Sequence, residues 1–175
     1  DVLLTRFEDP NGGFFFTADD HETLIHRPKP FSDEATPSGT GIATQVMLQL
    51  GHLLGETRYI DAAERALRTA WPLLQEHPQA HGALLQALRG VMRPPEIIVM
   101  RGDPDALADW QRYVSAGYNP GRTSYLIPNE IEDLPKLLKT RVPRGEAVAY
   151  VCQGTECRAP ITTLEELAAV LGPAS

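Results

Sequence analysis

Positive charge is the first thing this chain lacks. Sixteen Lys and Arg stand against 23 Asp and Glu, a net charge of -7, and the pI is near 5.2. Nucleic-acid binders usually gather cations on one face, so this balance argues against nucleic acid as a partner. No apolar run approaches the roughly 20 residues that a membrane-spanning helix needs, and no membrane partner is expected. Cysteine is almost absent, with two residues. Without two more, or a nearby His, these make an incomplete zinc set. The start lacks both Met and a basic-then-apolar leader; it runs Asp-Val-Leu-Leu into apolar and aromatic residues. The expectation is a cytoplasmic protein, read here as a fragment of something longer.

What is present is enough apolar material, 42% of 175 residues, to bury a core in one ordinary domain or two small ones. After the Gly-rich turn at Ser38 to Gly41, Ile42, Val46, Met47, Leu50, Leu53 and Leu54 recur at the spacing of one buried helix face. Ser38 is the natural N-cap and Gly55 the natural stop. A second helix is predicted over Thr57 to His77, striped by Tyr59, Ala62, Ala63, Ala66, Leu67, Ala70, Trp71 and Leu74. Pro72 should kink or shorten its last turn. A third runs from Gln79 to Met92 and stops before Pro94 and Pro95. Their small residues permit close approach of neighbouring axes. Ahead of them, Gly13 to Ala18 reads as a short extended segment.

From Pro95 the period changes. EIIVM at 96 to 100 is typical of a strand covered on both faces, and Gly102-Asp103-Pro104 launches a helix through Leu107, Trp110 and Val114. SYLI at 124 to 127 and AVAYV at 147 to 151 are further strand candidates. Thr162 or Thr163 caps a last helix with Glu165 and Glu166 in its first turn. Residues 1-93 are therefore read as helical hairpins and 94-175 as a small α/β subdomain with a short parallel or mixed sheet. The fold class is α+β.

The stretches GGFFFTADDHETLIHRPKPFSDEATPSGTG and AYVCQGTECRAPITTLEELAAVL resemble the C-terminal part of the YyaL-like, spermatogenesis-associated thioredoxin-domain proteins. The most specific elements are GGF-F-TADD at 12 to 20, RPK at 27 to 29, ATPSG at 35 to 39 and Cys-x4-Cys before Pro160. The resemblance implies a longer protein. A thioredoxin-like domain would lie upstream, followed by an (α/α)6 toroid of the six-hairpin glycosidase and sugar-epimerase type, whose last hairpins this chain would hold. The thioredoxin domain's cysteine motif is not in this sequence, so no redox residue carries over from it. The family has no settled reaction.

The polar segment 17 to 41 holds the candidate chemistry. Asp19, Asp20 and His21 are the catalytic candidates, and Arg27, Lys29 and Ser38 the substrate-binding ones. A glycosidase needs two carboxyl groups about 5 to 9.5 Å apart. Adjacent Asp19 and Asp20 point to opposite faces of an extended segment, so they need a partner such as Asp33 or a residue outside the chain. His21 suits proton transfer near neutral pH; the bland alternative is a surface histidine bonded to a carbonyl. Arg27 and Lys29 bracket Pro28 and would hold an anionic group, or pair internally with Asp19 and Asp20. Ser38 would expose N–H groups to an anion, or simply cap its helix. Four consecutive side chains diverge, so no metal site is expected, and no cofactor. Cys152 and Cys157 are weak redox candidates, expected as reduced packing cysteines, although a disulfide across their turn is geometrically possible. Tyr59, Trp71 and Trp110 are expected in the core. Two readings follow: a carbohydrate-active segment acting by sugar epimerase-like proton transfer on a sugar-like ligand, or a non-catalytic scaffold or interaction module beside a thioredoxin-like redox domain. With apolar helix faces left open, an isolated fragment would self-associate.

Overall fold

A side-chain oxygen and a glycine set the two ends of the helix Gly39–Leu54. In the computed structural model, which describes residues 1–22 and 24–172, the chain divides into two compact units, Asp1–Arg93 and Pro94–Ser175. The first carries α1 (Val2–Arg6), α2 (Gly39–Leu54), α3 (Thr57–Glu76) and α4 (Gly82–Met92). Ser38 Oγ accepts the Gly41 N–H at 3.2 Å to start α2, and Gly55, at φ 69°, ends it. This is the cap and the stop that the sequence predicts.

Helix α2 packs on both α3 and α4. Met47, Leu48, Tyr59, Leu67 and Leu84 form the centre of the core, with Ala63, Ala66 and Ala70 of α3 fully buried among them. A Cβ on Gly51 would sit 2.5 Å from Ile60 Cγ1, so α2 and α3 approach more closely than any larger residue at 51 allows.

Several expectations for this unit need correction. Helix α4 starts at Gly82 rather than Gln79, because Pro78–Ala80 forms a 3-10 turn and His81 has non-helical backbone (φ -137°, ψ 38°). Helix α3 holds Pro72 within its last turns and ends at Glu76, one residue before the predicted His77. Residues 13 to 18 do not form a strand; one antiparallel bridge, Glu8 with Phe14, is the extent of the pairing. Helix α1 has no counterpart in the sequence reading. Ile42, Val46 and Trp71 are substantially exposed although their positions fit the apolar stripes.

The second unit is a mixed sheet with strand order β2-β1-β3-β4, built from β1 (Glu96–Gly102), β2 (Arg122–Pro128), β3 (Ala147–Gln153) and β4 (Glu156–Cys157). Strands β1 and β2 are parallel, Met100 opposite Leu126, and their crossover is α5 (Pro104–Ala116), which opens on Pro104. Strand β3 runs antiparallel to β1, Met100 opposite Ala149. Helix α6 (Leu164–Leu171) is capped by Thr163, which accepts the Glu166 N–H at 3.2 Å. Ile98 and Met100 pack with Leu107, Trp110, Val114, Ala149, Ile161 and Leu167 in a buried cluster. Strand β1 is buried along all but its first residue, as a continuously apolar run implies. The described residues are thus α+β: six α-helices and a small mixed four-stranded sheet. None of these helices is long and apolar enough to cross a membrane.

Candidate functional site

Arg6, at the end of α1, organises the acidic stretch. Its Nη1 lies 3.2 Å from Asp19 Oδ1 and 3.4 Å from Asp20 Oδ2. Its carbonyl accepts the Asp19 N–H at 2.9 Å. All three side chains are about half exposed, so these pairs contribute little stability but fix where the carboxylates point. His21 is exposed beside them.

Arg27 does not reach Asp19 or Asp20, correcting that pairing. Its Nη2 donates to the carbonyls of Thr17 (2.7 Å) and Arg6 (3.4 Å), and its guanidinium lies 4.1 Å from the Phe15 ring centroid. Lys29 pairs instead with Asp9 Oδ2 at 2.6 Å and donates to the Gly12 carbonyl at 2.8 Å. The bond from Lys29, joined by the Asn11 N–H, holds the Asp9 carboxyl below its ordinary range. Gly12 itself has φ +100°, and a Cβ there would fall 2.5 Å from the Arg65 carbonyl, which gives the GGF stretch a local physical reason. Phe14 is buried, Phe15 half-buried and Phe16 exposed.

Asp33 is the junction of the first unit. One carboxyl oxygen accepts the Ser38 N–H and the other the Ala83 N–H, each at 2.8 Å. A single side chain thereby joins the beginning of α2 to the beginning of α4. Burial pushes its carboxyl up, but the two amide bonds outweigh that and hold it below the ordinary value of 3.8. Buried His81 stands beside it, Nδ1 2.8 Å from the His77 carbonyl and Nε2 3.2 Å from Ser32 Oγ. The carbonyl can only accept, so Nδ1 carries the proton. Ser38, buried, is occupied as the α2 cap.

Sequence reasoning did not assign Arg6, His81, Arg101 or Arg141 to any role. Arg101 had a legible signal: a cation directly after the apolar run 97–100, one residue before the end of a buried strand. It is 3% exposed. Its guanidinium donates to five carbonyls, those of Ile127, Pro128, Asn129, Ile131 and Arg141, at 2.8 to 3.3 Å. The segment from 127 to 141 therefore folds around one side chain.

Cys152 and Cys157 face each other across the β3-β4 pair and are joined as a disulfide, with Cα atoms 4.0 Å apart. This corrects the expectation of reduced packing cysteines. The turn between them opens with Gly154 at φ 61°, which lets the two strands reverse tightly enough to bring both Cβ atoms together. Among the described residues, no three His, Cys, Asp or Glu side chains converge as a metal site would need.

No protein-family model matches this chain. It is 27% identical to human spermatogenesis-associated protein 20 over 182 residues, covering 95% of this chain and 22% of that protein. The rat protein of the same name is 26% identical and the mouse protein 25%. The chain thus spans about a fifth of the length of the curated relatives it matches. The similarity runs through both units, and on it the chain is a distant homologue of spermatogenesis-associated protein 20.

Proposed function

We propose that this chain is a non-catalytic scaffold segment of a longer protein, with its helical unit supplying hairpins to an (α/α)6 toroid. The observation that carries this reading is a groove of about 270 Å³ on α3 and α4, floored by Leu67, Trp71, Leu88 and Val91 and edged by Glu64 and Arg68. Trp71 is 47% exposed, although it continues the stripe that buries Ala63, Ala66, Leu67 and Ala70. An indole with that much open surface, flanked by an ion pair of 2.6 Å between Glu64 and Arg68, has the apolar centre and polar rim of a contact surface. Its occupant in this reading is a neighbouring hairpin of the longer protein, since about four-fifths of the relatives' length lies outside the matched region. Upstream, the resemblance implies a thioredoxin-like domain as the functional companion.

The polar segment supports the scaffold over sugar chemistry because four of its candidate side chains already have partners within the chain: Asp19 and Asp20 on Arg6, Arg27 on two carbonyls, Lys29 on Asp9. The test is light scattering of the 175-residue chain across concentration. Self-association is expected through the uncovered groove, and Trp71→Ser should lower the apparent mass while leaving far-UV circular dichroism unchanged. A monomer at every concentration would overturn the proposal. In parallel, thermal shift against mono- and disaccharides should show no rise; a rise abolished by Asp20→Ala or His21→Ala would transfer the function to a sugar site.

A further inference from the structure

The geometry points to Cys152–Cys157 as a thiol–disulfide exchange site that takes two electrons from a dithiol, with Arg141 as its positioning residue. Arg141 Nη2 lies 3.3 Å from Cys152 Sγ and 3.3 Å from Cys157 Sγ. A disulfide sulfur is a poor acceptor, and a cation held over both sulfurs gains little from the oxidised form. It gains much once either sulfur becomes a thiolate, because an opposite charge then lies within direct contact.

The guanidinium is held in place rather than draped over the surface. Its centre lies 5.2 Å from the Tyr150 ring centroid. The Arg141 carbonyl accepts from the buried Arg101 at 3.1 Å, and the Arg141 N–H donates to the Leu138 carbonyl at 3.0 Å. The Tyr150 hydroxyl donates to the next carbonyl, that of Val142, at 2.6 Å. Strand, loop and buried cation thus fix the position of Arg141 independently of the disulfide.

The two sulfurs differ in access. Cys157 lies on the exposed two-residue strand β4, whereas Cys152 is half-buried on β3. An incoming thiolate therefore attacks Cys157 Sγ. A new S–S bond forms there, the Cys152–Cys157 bond breaks, and its electron pair leaves on Cys152 as a thiolate beneath Arg141. The donor's second thiol, losing its proton to solvent, then attacks its own sulfur in the mixed disulfide. Cys157 departs as a thiolate and takes up a proton from solvent, and the dithiol becomes a cyclic or intramolecular disulfide. One disulfide is reduced and one dithiol oxidised. A departing thiolate stabilised by a neighbouring cation leaves faster.

The test uses the 175-residue chain with dithiothreitol as the dithiol, under native conditions at neutral pH, and follows free thiols by quenched alkylation and mass spectrometry. Exchange is expected without unfolding. Arg141→Gln should slow it about tenfold, and Arg141→Lys should recover part of the rate by restoring the charge. Oxidised glutathione on Cys152→Ser should label Cys157 as a mixed disulfide, releasing one reduced glutathione, and on Cys157→Ser should label Cys152 more slowly. Reduction that requires denaturant, or an Arg141→Gln rate equal to or above that of the parent, would overturn the proposal. Circular dichroism of the variants distinguishes a lost charge from a lost fold: a folded Arg141→Gln chain that exchanges slowly supports it, and a chain that is slow only because it has unfolded and aggregated counts against it. None of these outcomes depends on the groove at Trp71.

Discussion

Asp33 shows how one side chain can carry more structural weight than the acidic cluster beside it. Its two oxygens satisfy amides that would otherwise be orphaned at the starts of α2 and α4. Asp33→Asn replaces one acceptor by an NH2 group that faces an N–H donor. The expected cost is about 1–3 kcal/mol at neutral pH, measured from urea midpoints. The pH dependence has a fixed sign. The folded carboxyl is depressed below 3.8, so its contribution is complete above that value and is lost as the pH falls through the folded value. The parent and the Asp33→Asn variant should therefore converge in stability in acid, below the folded value, and separate at neutral pH; a gap that widens in acid would contradict the assignment. Asp9, depressed by Lys29 and Asn11, acts in the same direction. Asp19 and Asp20, half exposed on Arg6, have no comparable role in stability.

At the scale of elements, the alanines of α3 and the arginine of β1 are the sensitive points. Ala63, Ala66 and Ala70 have no measurable exposure, so these three positions of α3 accommodate methyl groups and nothing longer. Ala66→Leu should cost about 1–3 kcal/mol by overpacking, seen as a lower denaturation midpoint with helix content kept. Arg101→Met should be worse than its loss of charge implies. It would leave five carbonyls between 127 and 141 without their donor, with an expected loss of at least about 3 kcal/mol. Proteolysis should then cut first between 129 and 146, ahead of β1 and β3. Cleavage elsewhere would show that this loop does not depend on Arg101. Trp71 belongs to the same scale in a different sense, as a residue whose helix face continues beyond its own core.

For the whole molecule, the two units bury separate apolar clusters. The first is neither an open fan of hairpins nor a fully enclosed bundle. Helix α2 is covered by α3 and α4, yet Ile42, Val46, Trp71 and Met92 remain 40–75% exposed, and Trp71 lies in the apolar groove with Leu67, Leu88 and Val91. A surface of that kind favours association, and concentration-dependent mass in solution is the measurement that follows. Because the chain covers about a fifth of its relatives' length, the natural counterpart of this surface belongs to the larger protein in the proposal above.

Sequence by itself determined the elements whose cause is local. Ser38 and Gly55 bound α2 because a hydroxyl and a glycine satisfy the end groups of a helix wherever it goes. Period-3.6 stripes placed α3 and the body of α4, and an uninterrupted apolar run placed β1. The helix after Pro104 and the Thr163 cap were legible for the same reason. Tertiary structure decided the partners. Arg6 rather than Arg27 meets Asp19 and Asp20, Asp33 bridges amides 45 residues apart between Ser38 and Ala83, and Arg101 collects carbonyls up to 40 residues away. Pairing of Cys152 with Cys157 likewise depended on the β3-β4 register bringing two Cβ atoms together. Caps and stripes are properties of neighbouring residues, and the Cys152–Cys157 bond needs only the register of its own hairpin, whereas these ion pairs and shared acceptors depend on distances that exist only after distant segments have packed.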